Sequence, residues 1–194
     1  MLHEIAEEIS LKLVINKLIP IENRSFYTYG IELSLNDICI LFSITLIALL
    51  LDKVIVSLLY VITYCVLRQY VGGYHCKTYM RCFSTTLILY ILMLIFNTYL
   101  GSARVVVSYV LVGIAAPLIF ILAPVHYRDD PDDDINRKKY RVRSLIWLFL
   151  SIIGFFLASL FHLSEISFAI AWGVFMVFLL MLPPVYMNLL KVRR

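Results

Sequence analysis

Four apolar stretches, 83–100, 104–125, 144–162 and 166–190, are each long enough to cross about 30 Å of hydrocarbon as a helix. A chain of 194 residues cannot bury four such stretches in a soluble core, so lipid must solvate much of it. Two shorter apolar segments precede them, 33–51 and 54–67. Asn36 and Asp37 interrupt the first, and only 14 residues separate Lys53 from Arg68 in the second. Tilt, snorkelling of Lys53 and Arg68, or a re-entrant pair would each accommodate them. The expectation is an all-α, polytopic membrane helical bundle of about six segments, the first two short or re-entrant. Composition agrees: 62% of residues are apolar, against about 45–50% in soluble domains. The length suits one membrane domain, 1–194, with no separate soluble unit.

Residues 1–32 read as an amphipathic N-terminal region. Leu2, Ile5, Ile9 and Leu13 recur at roughly helical spacing, with Glu4, Glu7, Glu8, Lys12 and Lys17 between them, as far as Pro20. Such a helix lies in the membrane interface or packs on the protein's own membrane domain. The start, MLHEIAEEIS, lacks the basic and apolar regions of a signal peptide, so insertion is expected to rely on the membrane helices. Pro117 and Pro183-Pro184 predict kinks in their segments.

Net charge is +4, but the charges sit in blocks between apolar runs, which speaks of topology and not of nucleic acid. Suppose the N-terminus, 68–82, 126–143 and the C-terminal tail share one side. That side holds Lys12, Lys17, Arg24, Arg68, Lys77, Arg81, Arg128, Arg137, Lys138, Lys139, Arg141, Arg143, Lys191, Arg193 and Arg194. The other keeps only Lys53 and Arg104. The positive-inside rule therefore predicts a multi-pass protein of the cell membrane, with both termini and the segments 68–82 and 126–143 cytoplasmic.

Among four histidines, only His75 stands in a segment dense with unusual residues, 68–82, which reads Arg68-Gln-Tyr-Val-Gly72-Gly73-Tyr-His75-Cys76-Lys77-Thr-Tyr-Met-Arg81-Cys82. The Gly72-Gly73 pair opens backbone conformations closed to other residues. A cysteine peptidase needs a thiolate and an imidazole, the histidine taking the thiol proton. Cys82 opens the third apolar segment, where Lys77, Arg81 and the positive end of a helix favour thiolate. Cys76 adjoins His75 in sequence, but neighbouring side chains diverge on a helix or strand, so Cys82 ranks above it. Seven residues of straight helix would leave His75 and Cys82 about 10.5 Å apart along the axis. A Cys-His dyad therefore requires a break in the chain between residues 72 and 82.

Other readings stand beside this one. One histidine and two cysteines near a membrane interface are often incidental. Zinc ligation by His75, Cys76 and Cys82 lacks a CxxC or HxxxH spacing, so no metal and no cofactor is expected. Cys39 and Cys65 lie within apolar runs, and no spacing resembles a disulfide framework. His126 and His162 flank membrane ends and read as interfacial. Asp129, Asp130, Asp132, Asp133 and Asp134 lack the glycine of a calcium loop, and pairing with the basic half of 126–143 or solvation suits them better. That basic half, Arg137, Lys138, Lys139, Arg141 and Arg143, either binds an acidic peptide tail or anionic headgroups, or only fixes topology. A non-catalytic small transporter or scaffold is the alternative, although ionisable residues are almost absent from the spans after residue 83.

The string RQYVGGYHCKTYMRC resembles the signature of the AgrB family, the accessory gene regulator B membrane peptidases of quorum-sensing systems. Arg68, Gly73, His75 and Cys82 fill the matching places. Leu122-Ala123-Pro124-Val125, Pro131 and the Arg137–Arg143 cluster are similar to the family's downstream loop, although the Asp-rich run is heavier than that pattern. The resemblance implies cleavage of a short amphipathic pro-peptide, removing its acidic C-terminal tail, with His75 as base and Cys82 as nucleophile. A thioester acyl-enzyme would then yield a cyclic thiolactone or lactone autoinducing peptide. Arg68, Gly72 and Gly73 would support the site, while Lys77, Arg81 and the 137–143 cations would contact substrate. Partners expected are that peptide and the bilayer, with a second copy of the chain as an open alternative.

Overall fold

The computed structural model describes residues 2–73, 79–125 and 133–192, with side chains from 3–73, 80–125 and 138–186. Seven α-helices make up this part: α1 (Leu2–Ile15), α2 (Arg24–Leu50), α3 (Val54–Val71), α4 (Tyr79–Tyr99), α5 (Ala103–Leu122), α6 (Asp133–Leu160) and α7 (Ser164–Val192). A single 3-10 turn, Ile21–Asn23, leads from Pro20 into α2. Six helices are long and apolar enough to cross a membrane, as the segment pattern predicted.

Two boundaries differ from the sequence reading. The first span is no short segment from 33. Its helix begins at Arg24 and runs 27 residues, about 40 Å, which exceeds the hydrocarbon thickness. The reason is tertiary. α1 folds back along the start of α2, and Ser10, buried, receives a 2.8 Å hydrogen bond from Thr28. His3 bonds Glu32, so Thr28 and Glu32 are partnered by α1 instead of breaking the helix, and Asn36 continues the same buried stripe. α1 thus packs on the protein's own domain. The second segment is a full helix of 18 residues and not half of a re-entrant pair, because Arg68-Gln-Tyr-Val continue it to Val71. Arg68 tolerates that position by donating from Nη1 to the Tyr64 hydroxyl at 2.6 Å.

α7 is the central helix. Of its apolar window 67% is buried, against at most 39% in any other span. Small residues admit its neighbours: Gly173 lies so near α3 that an added Cβ would stand 3.2 Å from Thr63 Cγ2. Lipid tails are as apolar as leucine, so close packing and interhelical hydrogen bonds carry the association here. Ser57 bonds the Tyr90 hydroxyl at 2.7 Å, and Trp172 Nε1 donates to the Leu89 carbonyl at 3.2 Å. α5 and α7 remain helical past Pro117 and Pro183-Pro184.

The short connections 51–53, 100–102 and 161–163 gather at one end of the bundle. Both cations set apart by the charge count stand there, joined to one carboxylate. Lys53 Nζ donates to Glu165 Oε2 at 2.6 Å, and Arg104 Nη1 lies 3.6 Å from Glu165 Oε1. Asn97 donates to the Glu165 carbonyl at 2.9 Å. An open hollow of about 640 Å³ beside them is lined by Asp52, Lys53, Arg104, His162 and Ser164, among others. Opposite charges at three connections tie three hairpins together.

Candidate functional site

The other end of the bundle carries the sequence-predicted site. α3 stops at Val71 because Gly72 follows with φ +78° and Gly73 with φ +148°, values that side chains rarely permit. The Gly72 N–H still donates to the Arg68 carbonyl at 3.1 Å, closing the helix. Beyond α5, Ala123 donates to the Ile119 carbonyl at 2.9 Å, and the Ala123–Pro124 peptide is cis. Val125 then donates to the Val71 carbonyl at 2.9 Å, pairing the strand-like backbone of Gly72 and Val125. A Cβ on Gly73 would stand 3.1 Å from the Leu180 carbonyl oxygen. The two glycines therefore seat the segment between the end of α5 and the wall of α7.

α3 ends at Val71 and α4 is described from Tyr79, so the chain leaves the helix at Gly72-Gly73, while the bend needed between His75 and Cys82 falls on residues 74–78, outside the described residues. Cys82 is the fourth residue of α4, half-buried in its first described turn, and the N-terminal end of a helix carries partial positive charge. Arg81 beside it is exposed. His75, Cys76 and Lys77 lie outside the described residues, as do His126, Asp129 and Asp130. Cys39 and Cys65, exposed on α2 and α3, form no disulfide. Among the described residues, no group of three or more His, Cys, Asp or Glu gathers as metal ligands would.

Arg68, half-buried in the last turn of α3, stands 5.6 Å over the ring of Tyr64 besides bonding its hydroxyl. Tyr64 also faces Thr86, one helical turn beyond Cys82 on α4. Both Tyr64 and Thr86 are buried.

The basic cluster is helical, which corrects the expected loop. α6 begins at Asp133, so Arg137, Lys138, Lys139, Arg141 and Arg143 all belong to its first three turns. Aromatic docking holds the helix here: Tyr140 packs on Tyr70 with centroids 6.4 Å apart, and the Arg143 guanidinium sits 5.8 Å over the same ring. Tyr70 is two residues before Gly72, so the basic helix is anchored beside the glycine pair. Lys138, Lys139 and Arg141 are exposed, whereas Arg143 has this intramolecular role.

Sequence reasoning missed Tyr64, Thr86, Tyr70 and Leu180. Tyr64 was within reach, because it precedes Arg68 by four residues and so shares its helix face. The other three depend on contacts between helices.

The model of the AgrB family, accessory gene regulator B, matches residues 3–181. No curated protein and no solved structure matches the chain.

Proposed function

The chain belongs to the AgrB family as a multi-pass membrane protein of the agr quorum-sensing system, and from that premise we propose that it is a cysteine endopeptidase of a short signal pro-peptide. One observation carries the reading: α3 breaks at Gly72-Gly73 and α4 restarts so that Cys82 opens it, with His75 in the intervening segment. A nucleophile at a positive helix end, seven residues after a histidine that follows a glycine break, has the ingredients of an ion pair.

The chemistry runs in two steps. His75 takes the Cys82 proton, and the thiolate attacks the carbonyl before the acidic tail of the peptide. The C–N bond breaks, His75 returns the proton to the departing amine, and a thioester remains on Cys82. A thiol or hydroxyl within the bound peptide then attacks that carbonyl, its proton passing through His75 to the leaving Cys82 sulfur. The product is a ring, and acyl activation is conserved provided water is excluded from the site. The 15-to-2 division of basic residues supports a cytoplasmic site and cytoplasmic termini. Exposed Lys138, Lys139 and Arg141, anchored beside the glycine pair, suit an acidic tail.

Co-expression with a neighbouring short open reading frame, followed by mass spectrometry, tests the reading. Wild type should release a truncated, cyclised peptide, and Cys82→Ala and His75→Ala should not. Processing that survives in Cys82→Ala would overturn it.

A further inference from the structure

The hollow at the end opposite the glycine pair is rimmed by two residues in the left-handed region. α2 and α6 are followed by Asp52 with φ +54° and His162 with φ +56°, where glycine is the usual choice. Both turns close normally, Lys53 donating to the Ala48 carbonyl at 2.9 Å and Leu163 to the Ala158 carbonyl at 2.8 Å. A carboxylate and an imidazole are thus kept on the rim at a conformational cost.

Donors in the hollow lack acceptors. No side chain caps α3, whose first turn, 54–56, forms one wall, so the N–H groups of that turn are left to acceptors outside the helix. The Arg104 side chain is largely buried. Its one hydrogen bond among the described residues runs from Nη1 to Ser164 Oγ at 3.4 Å, and its buried Nε has none. Lys53 Nζ donates to Glu165 and has two further N–H groups. Glu165 sets one negative charge against two cations, which leaves one positive charge over. Asp52, in no ion pair among the described residues, adds one negative charge at the rim. Exposed Ile55 and Leu163 border these charges. The connections 51–53 and 161–163 end membrane-crossing helices, so the hollow opens where lipid headgroups lie.

We propose that the hollow binds the headgroup of a zwitterionic phospholipid with a primary ammonium, of the phosphatidylethanolamine kind. The phosphate lies against Lys53, Arg104 and the first turn of α3, and the ammonium against Asp52. The acyl chains run beside Ile55 and Leu163. Charge decides the class: an anionic headgroup would leave Asp52 unpaired, and a cation alone would leave Arg104 without acceptors. A quaternary ammonium has no N–H to donate, so it suits Asp52 less well. The site lies at the far end of the bundle from Cys82 and is independent of the peptidase reading.

In the experiment, full-length protein delipidated in detergent receives equal amounts of phosphatidylethanolamine, phosphatidylcholine and phosphatidylglycerol, and native mass spectrometry reads which is retained. Phosphatidylethanolamine should be retained over both others. Asp52→Asn removes the rim charge without touching the Glu165 tie, so it should process peptide as wild type does and lose the preference over phosphatidylcholine. Arg104→Gln should weaken retention of all three lipids severalfold. If Arg104→Gln fails to fold, Glu165→Gln carries that arm: it frees both cations and should turn the preference toward phosphatidylglycerol. Soluble phosphoethanolamine at the lipid's concentration should displace none of it, and displacement would overturn the lipid in favour of a soluble phosphate ester. Equal retention of the three lipids by wild type, or an unchanged preference in folded Asp52→Asn, would overturn the proposal.

Discussion

Gly72 lies against Val125 so closely that a Cβ at 72 would meet the Val125 carbonyl oxygen at under 3.0 Å. The contact is backbone on backbone, so no side chain can swing aside. Gly72→Ala adds this clash to a positive φ, itself costing about 1–2 kcal/mol. The variant should lose thermal stability in detergent and lose processing. Gly30→Ala, with nothing within 4 Å of the new methyl, should be neutral or up to about 1 kcal/mol more stable. Equal stability of the two variants would contradict the Gly72–Val125 joint.

At the opposite end, Glu165 neutralises Lys53 and Arg104. Lys53 and Glu165 are each about a third exposed, so solvent screens that pair, while the Arg104 side chain is 12% exposed and depends more on its partner. Glu165→Gln should lower stability by about 1 kcal/mol and Tm by a few degrees, with orientation in the membrane unchanged. An unaltered melting curve would mean that the three hairpins hold without the charge.

The N-terminal hairpin should respond to pH. Its hydrogen bond to Glu32 raises the His3 pKa above 6.5, with the Glu32 and Glu7 charges adding to the effect. A raised folded pKa means that the contribution is complete below about pH 6.5 and fades as pH rises through the raised value. Spin labels at exposed positions 11 and 27 should give a narrow distance distribution at acid pH and a broader one at alkaline pH. His3→Gln should remove the difference. The Ser10–Thr28 bond remains throughout, so complete undocking is not expected. A distribution that ignores pH in wild type would refute the contribution.

What the sequence revealed and what it hid divide along one physical line. Apolar length is a local property, so the later four spans and the opening of α4 near Cys82 were legible residue by residue. Gly72-Gly73 announced a helix end for the same reason. The start of α2 was not legible, because Thr28 and Glu32 read as interface residues until α1 covers them. Nor was the start of α6: its charged run lacks an apolar period, and its helix is docked through Tyr140 and Arg143 on Tyr70, far away in the chain. Lys53 and Arg104 could be singled out by the charge bias. Their shared partner Glu165, 112 residues beyond Lys53, could not.

The basic helix offers a way to separate substrate recognition from topology. Neutralising Arg137, Lys138 and Lys139 together to Gln leaves Arg141 and Arg143, including the Arg143–Tyr70 contact, so insertion and docking of α6 should be normal. A surface charge pair contributes up to about 1 kcal/mol, so single variants should be nearly silent and the triple one should bind uncut peptide more weakly. The salt dependence of binding should also flatten, since screening has less left to screen. Unchanged affinity in correctly inserted protein would leave the cluster a purely topological part.

The central claim is a covalent bond between Cys82 and the peptide, and intact-protein mass spectrometry reads it directly. A synthetic pro-peptide whose internal nucleophile is replaced by alanine can be cut but not cyclised, so the acyl-enzyme should accumulate. Wild type and Cys76→Ala should each gain the mass of the peptide without its acidic tail, and hydroxylamine should release it, as a thioester requires. Cys82→Ala should show no adduct. An adduct that persists in Cys82→Ala, or one that vanishes in folded Cys76→Ala, would contradict the assignment of Cys82 as the nucleophile.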